Sequence, residues 1–372
     1  MLRDGSDRHT ESREGISMTS VVAAGPPLEP GGATVGRRAA RLVDPTRDGR
    51  TLGLECWYPA EAVDHHPTIY ELLPGIGVTA AALEDAPAAP GSHPLVVWSH
   101  GRSGTSTAYV MLCEGLAARG YVVVAPDHPG DTLLDWITGT AVDDATNERQ
   151  RVADVQLLLD WLLGDRAGEG RDDLGAVPPV DAARVAVAGH SYGAFTAFAL
   201  AAAEHDRPRI CGAAGLESLT RTIPRVALEQ ITVPLLMICG AFDDVTPPAT
   251  DADPAFATLV NHVVHRVDIE RAGHQGCSDV GLYLELIDQA DGIPDLVRDF
   301  VESMAAQVTG RVGDPWRPTV GLHLRTLGTW LDEVTGRDIR GARAELAKIA
   351  AEDGVRSRGT GTSPEVIERS DA

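Results

Sequence analysis

The sequence predicts an α/β fold: a doubly wound, mostly parallel sheet with helices on both faces and loop insertions at its carboxyl edge. Three observations predict it. Residues 184–194, RVAVAGHSYGA, set a short apolar run directly before Gly189-His190-Ser191-Tyr192-Gly193, and AFTAFALAAA follows. The run is long enough for a buried strand and too short for a helix, while the stretch after it reads as a helix apolar nearly all round. Residues 94–126 read strand, helix, strand (PLVVWS, 107–119, YVVVAP), the spacing of a parallel βαβ unit. Two later strands, 233–239 (VPLLMIC) and 263–269, each run into a polar loop.

Taken in order, residues 1–33 are rich in Gly, Pro and charge and are expected to be a flexible N-terminal segment. Residues 36–60 read as two strands, the second (TLGLECWY) ending at Pro59. Residues 61–91 carry four prolines and a short apolar patch at 69–78, which suggests an insertion packed on the domain. After PLVVWS comes His100-Gly101-Arg102-Ser103-Gly104, and Gly120 caps the helix at 107–119. Residues 132–146 lie beyond a strand's carboxyl end and read as a pocket-lining loop. An amphipathic helix spans 148–163, with Val152, Val155, Leu158, Leu159 and Leu162 on one face. A polar loop, 164–180, returns to the elbow strand. A short strand spans 210–214. Residues 275–293 form a second insertion, either a lid or simple packing. Helices are expected at 294–308, 321–335 and 338–353, and a polar, disordered tail at 354–372. The catalytic domain is therefore expected to cover 34–310, with a C-terminal helical extension at 311–353. There is no internal repeat.

The chain has 372 residues, 54 acidic and 32 basic, for a net charge of -22. Such a surface repels phosphate backbones and anionic membranes, so neither nucleic acid nor a membrane surface is an expected partner. No apolar run approaches the ~20 residues of a membrane span, and the polar N-terminus has no apolar signal core. A cytoplasmic location is expected. The five cysteines are odd in number and lack a C-x-x-C, which suggests buried reduced thiols. Cys277, three residues after His274, reads as loop packing. Nothing here bears on oligomeric state.

A strand, a tight turn and a helix meeting on G-x-S-x-G is the context of a nucleophile elbow. The glycines let the turn close, and Ser191 is lifted above the sheet's carboxyl end. A serine hydroxyl is a weak nucleophile until a base takes its proton. A histidine does so at neutral pH, and a carboxylate holds its tautomer. With the serine on a central elbow, the acid should follow a later strand and the histidine the last. Asp243 stands after VPLLMIC, and His274 follows the strand at 263–269. Asp244 and Glu217 remain alternative acids. Among other histidines, His190 lies inside the elbow, and His100 and His128 each end a strand. His65, His66, His262, His265 and His323 read as solvated or packed. Backbone N–H groups of Tyr192 and Arg102 are the expected oxyanion donors. No metal-ligand spacing such as H-E-x-x-H is present.

These residues resemble the α/β-hydrolase superfamily, and within it the serine esterases related to platelet-activating-factor acetylhydrolase, cutinase-like polyester hydrolases and dienelactone-hydrolase-like proteins. The matching strings are ECWYPA (55–60), PLVVWSHGRSG (94–104), GYVVVAPDHPG (120–130), RVADVQLLLDWL (151–162), GHSYGA (189–194), VPLLMICGAFDDVTPP (233–248) and RAGHQG (271–276). The resemblance covers about 36–310. It implies a triad of Ser191, Asp243 and His274, with Arg102 and Tyr192 as oxyanion donors. Two departures stand out. True dienelactone hydrolases carry cysteine as nucleophile, and this chain has Ser191. The acetylhydrolases take their acid from the preceding strand, where this chain has Glu217. The expectation is a cofactor-free serine hydrolase cleaving small-molecule carboxylic esters. A lactonase, thioesterase or amidase with the same triad is one alternative, and a non-catalytic binding protein on the same fold is the other.

Overall fold

The structure, a computed structural model, describes residues 20–25, 28, 32–73, 75–164 and 177–360. The chain begins with β1 (Ser20–Ala23), β2 (Val35–Asp44), β3 (Arg50–Pro59), β4 (Pro67–Leu73) and β5 (Ile76–Glu84). β6 (His93–Ser99), α1 (Val110–Ala118) and β7 (Val122–Pro126) form the expected βαβ unit. α2 (Leu133–Thr138) and α3 (Asp144–Leu163) lead to β8 (Val180–His190) and α4 (Tyr192–Ala203). Then come β9 (Gly212–Leu216), α5 (Arg225–Leu228), β10 (Leu235–Gly240), α6 (Ala252–Thr258) and β11 (Val264–Ile269). α7 (Val280–Gln289), α8 (Asp295–Ser303), α9 (Ala306–Thr309), α10 (Arg317–Val334), α11 (Ile339–Ile349) and β12 (Val355–Thr360) follow.

The strands form one sheet in the order β1-β5-β2-β3-β7-β6-β8-β9-β10-β11-β12, with β4 beside β5. From β7 to β11 every pairing is parallel. Both faces of these central strands are buried, and alternate residues serve opposite cores. Val96, Trp98, Ala186 and Ala188 face one cluster, which also contains α1 and α10 residues. Leu95, Val97, Val185 and Val187 face the other, with α3 and α4. This explains why those strands read as unbroken apolar runs rather than as alternation. Parallel strands also bring all their following loops to one edge of the sheet.

Several expectations need correction. Residues 61–91 are part of the sheet: β5 pairs with β4, β1 and β2. Gly75, at φ 81°, lets the chain reverse between β4 and β5. The segment 1–33 contains the strand β1; residues 1–19 lie outside the described residues. The tail 354–372 contains β12, antiparallel to β11. That edge strand is polar; the backbone ladder holds it, with Arg358 bonded to Asp268 at 2.7 Å and Arg356 to Glu270 at 2.9 Å on its exposed side. Residues 361–372, and 165–176 of the polar loop, also lie outside the described residues.

The helices at 311–353 are no appendage to the catalytic domain. On α10, Val320, Leu324, Leu327, Trp330 and Leu331 are buried in the same cluster as Trp98 and Ala188. Leu324 seats directly over Gly115 of α1, where any side chain would collide with it. The insertion at 275–293 is packing rather than a lid, since Leu282, Leu286 and Ile287 of α7 are buried. The expected helix at 294–308 is broken into α8 and α9. Among the described residues, no helix is long and apolar enough to cross a membrane.

Candidate active site

Ser191 joins β8 to α4 with φ 56° and ψ -113°. A non-glycine residue held there stores strain of ~1–3 kcal/mol, which only a well-determined surrounding can sustain. Here the Ser191 N–H donates to the Leu216 carbonyl at 2.9 Å, and the Leu219 N–H donates to the Ser191 carbonyl at 3.2 Å. The flanking glycines are required by contact. A Cβ on Gly189 or on Gly193 would collide with the Ser99 carbonyl oxygen. Elbow and β6 loop thus touch backbone to backbone.

His274 sits in the loop after β11. Its Nδ1 lies 3.0 Å from both carboxylate oxygens of Asp243, in the loop after β10. Both residues are buried. With Nδ1–H donated to the carboxylate, the ring's lone pair is on Nε2, the state a general base needs. Burial pushes the Asp243 carboxyl up, but hydrogen bonds and charge from His274, with bonds from Thr246, bring it down to about 2. It is therefore ionised at neutral pH. Thr246 donates its N–H to Asp243 Oδ1 at 2.8 Å, and its hydroxyl lies 2.7 Å from Oδ2.

A relay docks this loop on the elbow. The Gly101 N–H donates to the Tyr109 hydroxyl at 3.1 Å. That hydroxyl lies 2.7 Å from His190 Nδ1, and His190 Nε2 lies 2.6 Å from the His274 carbonyl oxygen. The relay runs in one direction if Nε2–H donates to that carbonyl and Nδ1 accepts from Tyr109. Burial and the neighbouring His274 lower the His190 pKa to about 3, so the ring stays neutral. His190 is thus a strut between the loops, not a base.

The expected oxyanion donors lie on the β6 loop and at the start of α4. The Tyr192 N–H opens the first turn of α4 and has no acceptor within the helix. Gly101 borders Ser191: a Cβ there would stand 3.4 Å from the Ser191 Cβ. The Gly101–Arg102 peptide therefore lies beside Ser191. The Arg102 guanidinium lies over the rings of Trp136 at 5.0 Å and Tyr192 at 5.2 Å, and pairs with Asp144. That places α2, in the expected pocket-lining segment, beside Arg102 and Tyr192, with Leu134 and Ile137 exposed.

The other candidate acids are placed elsewhere. Asp244 is exposed. Glu217, at φ 42° after β9, is buried and bonded to His323 Nε2 at 2.8 Å. His323 Nδ1 is 2.8 Å from the Thr319 carbonyl. Both ring nitrogens therefore face acceptors, which fits an imidazolium. Burial alone would lower the His323 pKa, but the Glu217 charge and bond raise it. His323, expected to be solvated or packed, is fully buried and paired with Glu217. Its partnership leaves Glu217 committed away from His274.

Ser99, His128 and Asp154 form a second hydroxyl–imidazole–carboxylate series, at 2.9 and 3.0 Å. All three are fully buried, so no substrate carbonyl reaches them. The Cys277 thiol is buried and pushed well up, which makes it inert. Among the described residues, His190, Glu217 and Cys277 bring ligand-type atoms within 4.8 Å of one another. Both His190 nitrogens are already engaged, so that group offers no free imidazole. Thr246, Tyr109 and Arg151 were not identified from sequence. Only Thr246 carried a signal, a hydroxyl residue three positions after an Asp in a turn.

Comparison with known proteins places the fold. Residues 78–213 match the Chlorophyllase family. The chain is 29% identical over 161 residues to cutinase est1 of Thermobifida alba, covering 43% of this chain and 46% of that protein. It is 27% identical over 164 residues to cutinase cut1 of Thermobifida fusca, covering 44% of each. The chain spans about half the length of the curated relatives it matches. A ferulic acid esterase from Streptomyces cinnamoneus superposes with a TM-score of 0.66 at 23% identity, over 84% of this chain and 92% of that one. On its sheet, its elbow and this superposition, the chain has the α/β-hydrolase fold.

Proposed function

We propose that the chain is a carboxylic ester hydrolase acting through an acyl-enzyme. Ser191 Oγ attacks the ester carbonyl carbon as His274 Nε2 takes the hydroxyl proton. The Asp243 carboxylate stabilises the imidazolium that forms. The carbonyl oxygen becomes an oxyanion and is met by the N–H groups of Tyr192 and Arg102. Collapse expels the alcohol, which leaves with the proton from His274, and the acyl group stays on Ser191. Water then gives a proton to His274, attacks the acyl carbon and releases the acid. The single observation that carries this reading is the buried Asp243–His274 pair, whose loop is tied through His190 to the elbow that holds Ser191 at positive φ.

The substrate class we favour is esters with an apolar or aromatic acyl group. The aromatic rim of Trp136 and Tyr192 around Arg102 supports it, as do the cutinase and ferulic acid esterase likenesses. The same oxyanion geometry serves lactones, thioesters and amides, and a substrate panel separates them. The five unpaired cysteines support a reducing, cytoplasmic setting. The test is intact-protein mass after incubation with a fluorophosphonate. Wild type should gain one adduct and Ser191→Ala none. A folded wild type that stays unlabelled and cleaves no ester would refute the reading.

A further inference from the structure

Arg151, on α3, is fully buried and uses every N–H of its guanidinium. Nε and Nη2 donate to Asp131 Oδ2 at 3.0 and 2.8 Å. Nη1 donates to the Ser99 hydroxyl at 3.3 Å and to the His100 carbonyl at 2.8 Å. Nη2 also donates to the Gly101 carbonyl at 3.1 Å. Nε lies 3.3 Å from Asn147 Oδ1 as a weaker, shared contact. Burying a guanidinium costs several kcal/mol unless it is paired and fully bonded. Asp131 supplies the charge, and three of the five N–H groups land on residues 99–101. The planar fork is what reaches these acceptors together; a lysine ammonium is a point charge.

The Gly101 carbonyl belongs to the same peptide unit as the Arg102 N–H. A trans peptide is planar, and its C=O and N–H point in opposite directions. The Gly101 oxygen is gripped by Arg151 and by the Gly104 N–H at 3.2 Å, with His100 Nδ1 at 2.6 Å. Its N–H must therefore point away from the guanidinium. Gly101 borders Ser191. Hydrogen bonds at a carbonyl also polarise the peptide and strengthen its N–H as a donor.

We propose that Arg151 is the positioning residue of the oxyanion hole, fixing and polarising the Gly101–Arg102 peptide so that the Arg102 N–H meets the developing oxyanion. This rests on the ester-hydrolase reading above. Arg151 itself touches no reacting atom. Its contribution is realised in the transition state, so it belongs in kcat and not in KM.

The experiment compares wild type, Arg151→Lys, the double variant Arg151→Met/Asp131→Asn, and Arg266→Met. The double variant removes the buried pair without stranding Asp131. Arg266→Met removes a buried arginine of β11 that pairs with Asp268 and Asp253, outside the site. Each is measured for kcat and KM on p-nitrophenyl butyrate, normalised to sites titrated with fluorophosphonate. Each is also measured for inhibition by an alkyl trifluoromethyl ketone, whose serine adduct carries an oxyanion. Arg151→Lys and the double variant should lose about 10²-fold in kcat, with KM within about 3-fold. Ketone affinity should fall in step with kcat/KM. Arg266→Met should melt lower and keep its kcat per titrated site. If the double variant does not fold, Arg151→Lys carries the test. A folded Arg151 variant with kcat within about 3-fold of wild type would overturn the proposal, as would a kcat loss with unchanged ketone affinity. A wild type that cleaves no ester and takes no label would instead refute the ester-hydrolase reading, and the proposal with it.

Discussion

Asp243→Asn tests which of three carboxylates serves His274. The structure sets the expected size. Oδ1 of Asp243 accepts N–H groups from Val245 and Thr246 at 3.0 and 2.8 Å. An asparagine must therefore keep its carbonyl oxygen at that position. Its NH2 then replaces Oδ2, 3.0 Å from His274 Nδ1 and 2.7 Å from the Thr246 hydroxyl. An N–H facing Nδ1 favours the tautomer with the proton on Nε2, which cannot take the Ser191 proton. The imidazolium also loses its counter-charge. The expected loss in kcat is about 10⁴-fold, or about 5 kcal/mol of barrier. Asp244→Asn, at an exposed position, should stay within about 3-fold of wild type. Glu217→Gln should lower stability, because it takes the carboxylate from the buried His323 it pairs with, and cost less than about 10-fold in kcat. The assay is kcat per fluorophosphonate-titrated site on p-nitrophenyl butyrate, with thermal melting as the folding control. A folded Asp243→Asn within 10-fold of wild type refutes the reasoning, and so does a Glu217→Gln that falls as far as Asp243→Asn.

Three further predictions follow from the same geometry. Arg102→Ala keeps the backbone N–H and should cost less than about 10-fold in kcat, whereas Arg102→Pro removes the donor and should cost about 10²–10³-fold; equal losses would show that the side chain is what matters. Gly193→Ala forces a Cβ into the Ser99 carbonyl, so melting temperature and kcat should both fall; a variant indistinguishable from wild type would contradict the backbone contact. Burial raises Glu114 and Asp279 to about 7 each, so the folded chain keeps protons that the unfolded chain releases near pH 4. Their contribution to stability is full below about pH 4 and is lost as pH rises to about 7, at about 1.4 kcal/mol per pH unit for each group. Urea midpoints between pH 5 and 8 should decline less steeply in Asp279→Asn than in wild type, and parallel slopes would refute this.

Much of this architecture is legible in local pattern. Strands buried on both faces must be apolar throughout, so β6, β7, β8 and β10 announce themselves as runs such as PLVVWS and YVVVAP. Parallel strands carry their loops to one edge, so the order of Ser191, Asp243 and His274 along the chain already implies their gathering. The edges of the sheet are less legible. β12 is polar because it lies at the sheet's edge, attached by its backbone ladder to β11 and flanked by exposed ion pairs with Asp268 and Glu270. β4 and β5 lie in a proline-bearing stretch whose pairing depends on β1 and β2, far from them in sequence.

The sequence by itself determined the parallel sheet, the elbow and the kind of chemistry expected of it, because periodicity and turn geometry are local properties of the chain. Only the tertiary structure decided which partners each polar group takes. Asp243 and Asp244 are neighbours in one turn, and the fold buries one on His274 and leaves the other in water. Glu217 is claimed by His323, 106 residues away. Arg151, one arginine in an amphipathic helix, is drawn inward because Asp131 and the carbonyls of the β6 loop converge there. A buried polar group is stable only with its partners, and those partners come together only when distant segments fold against one another.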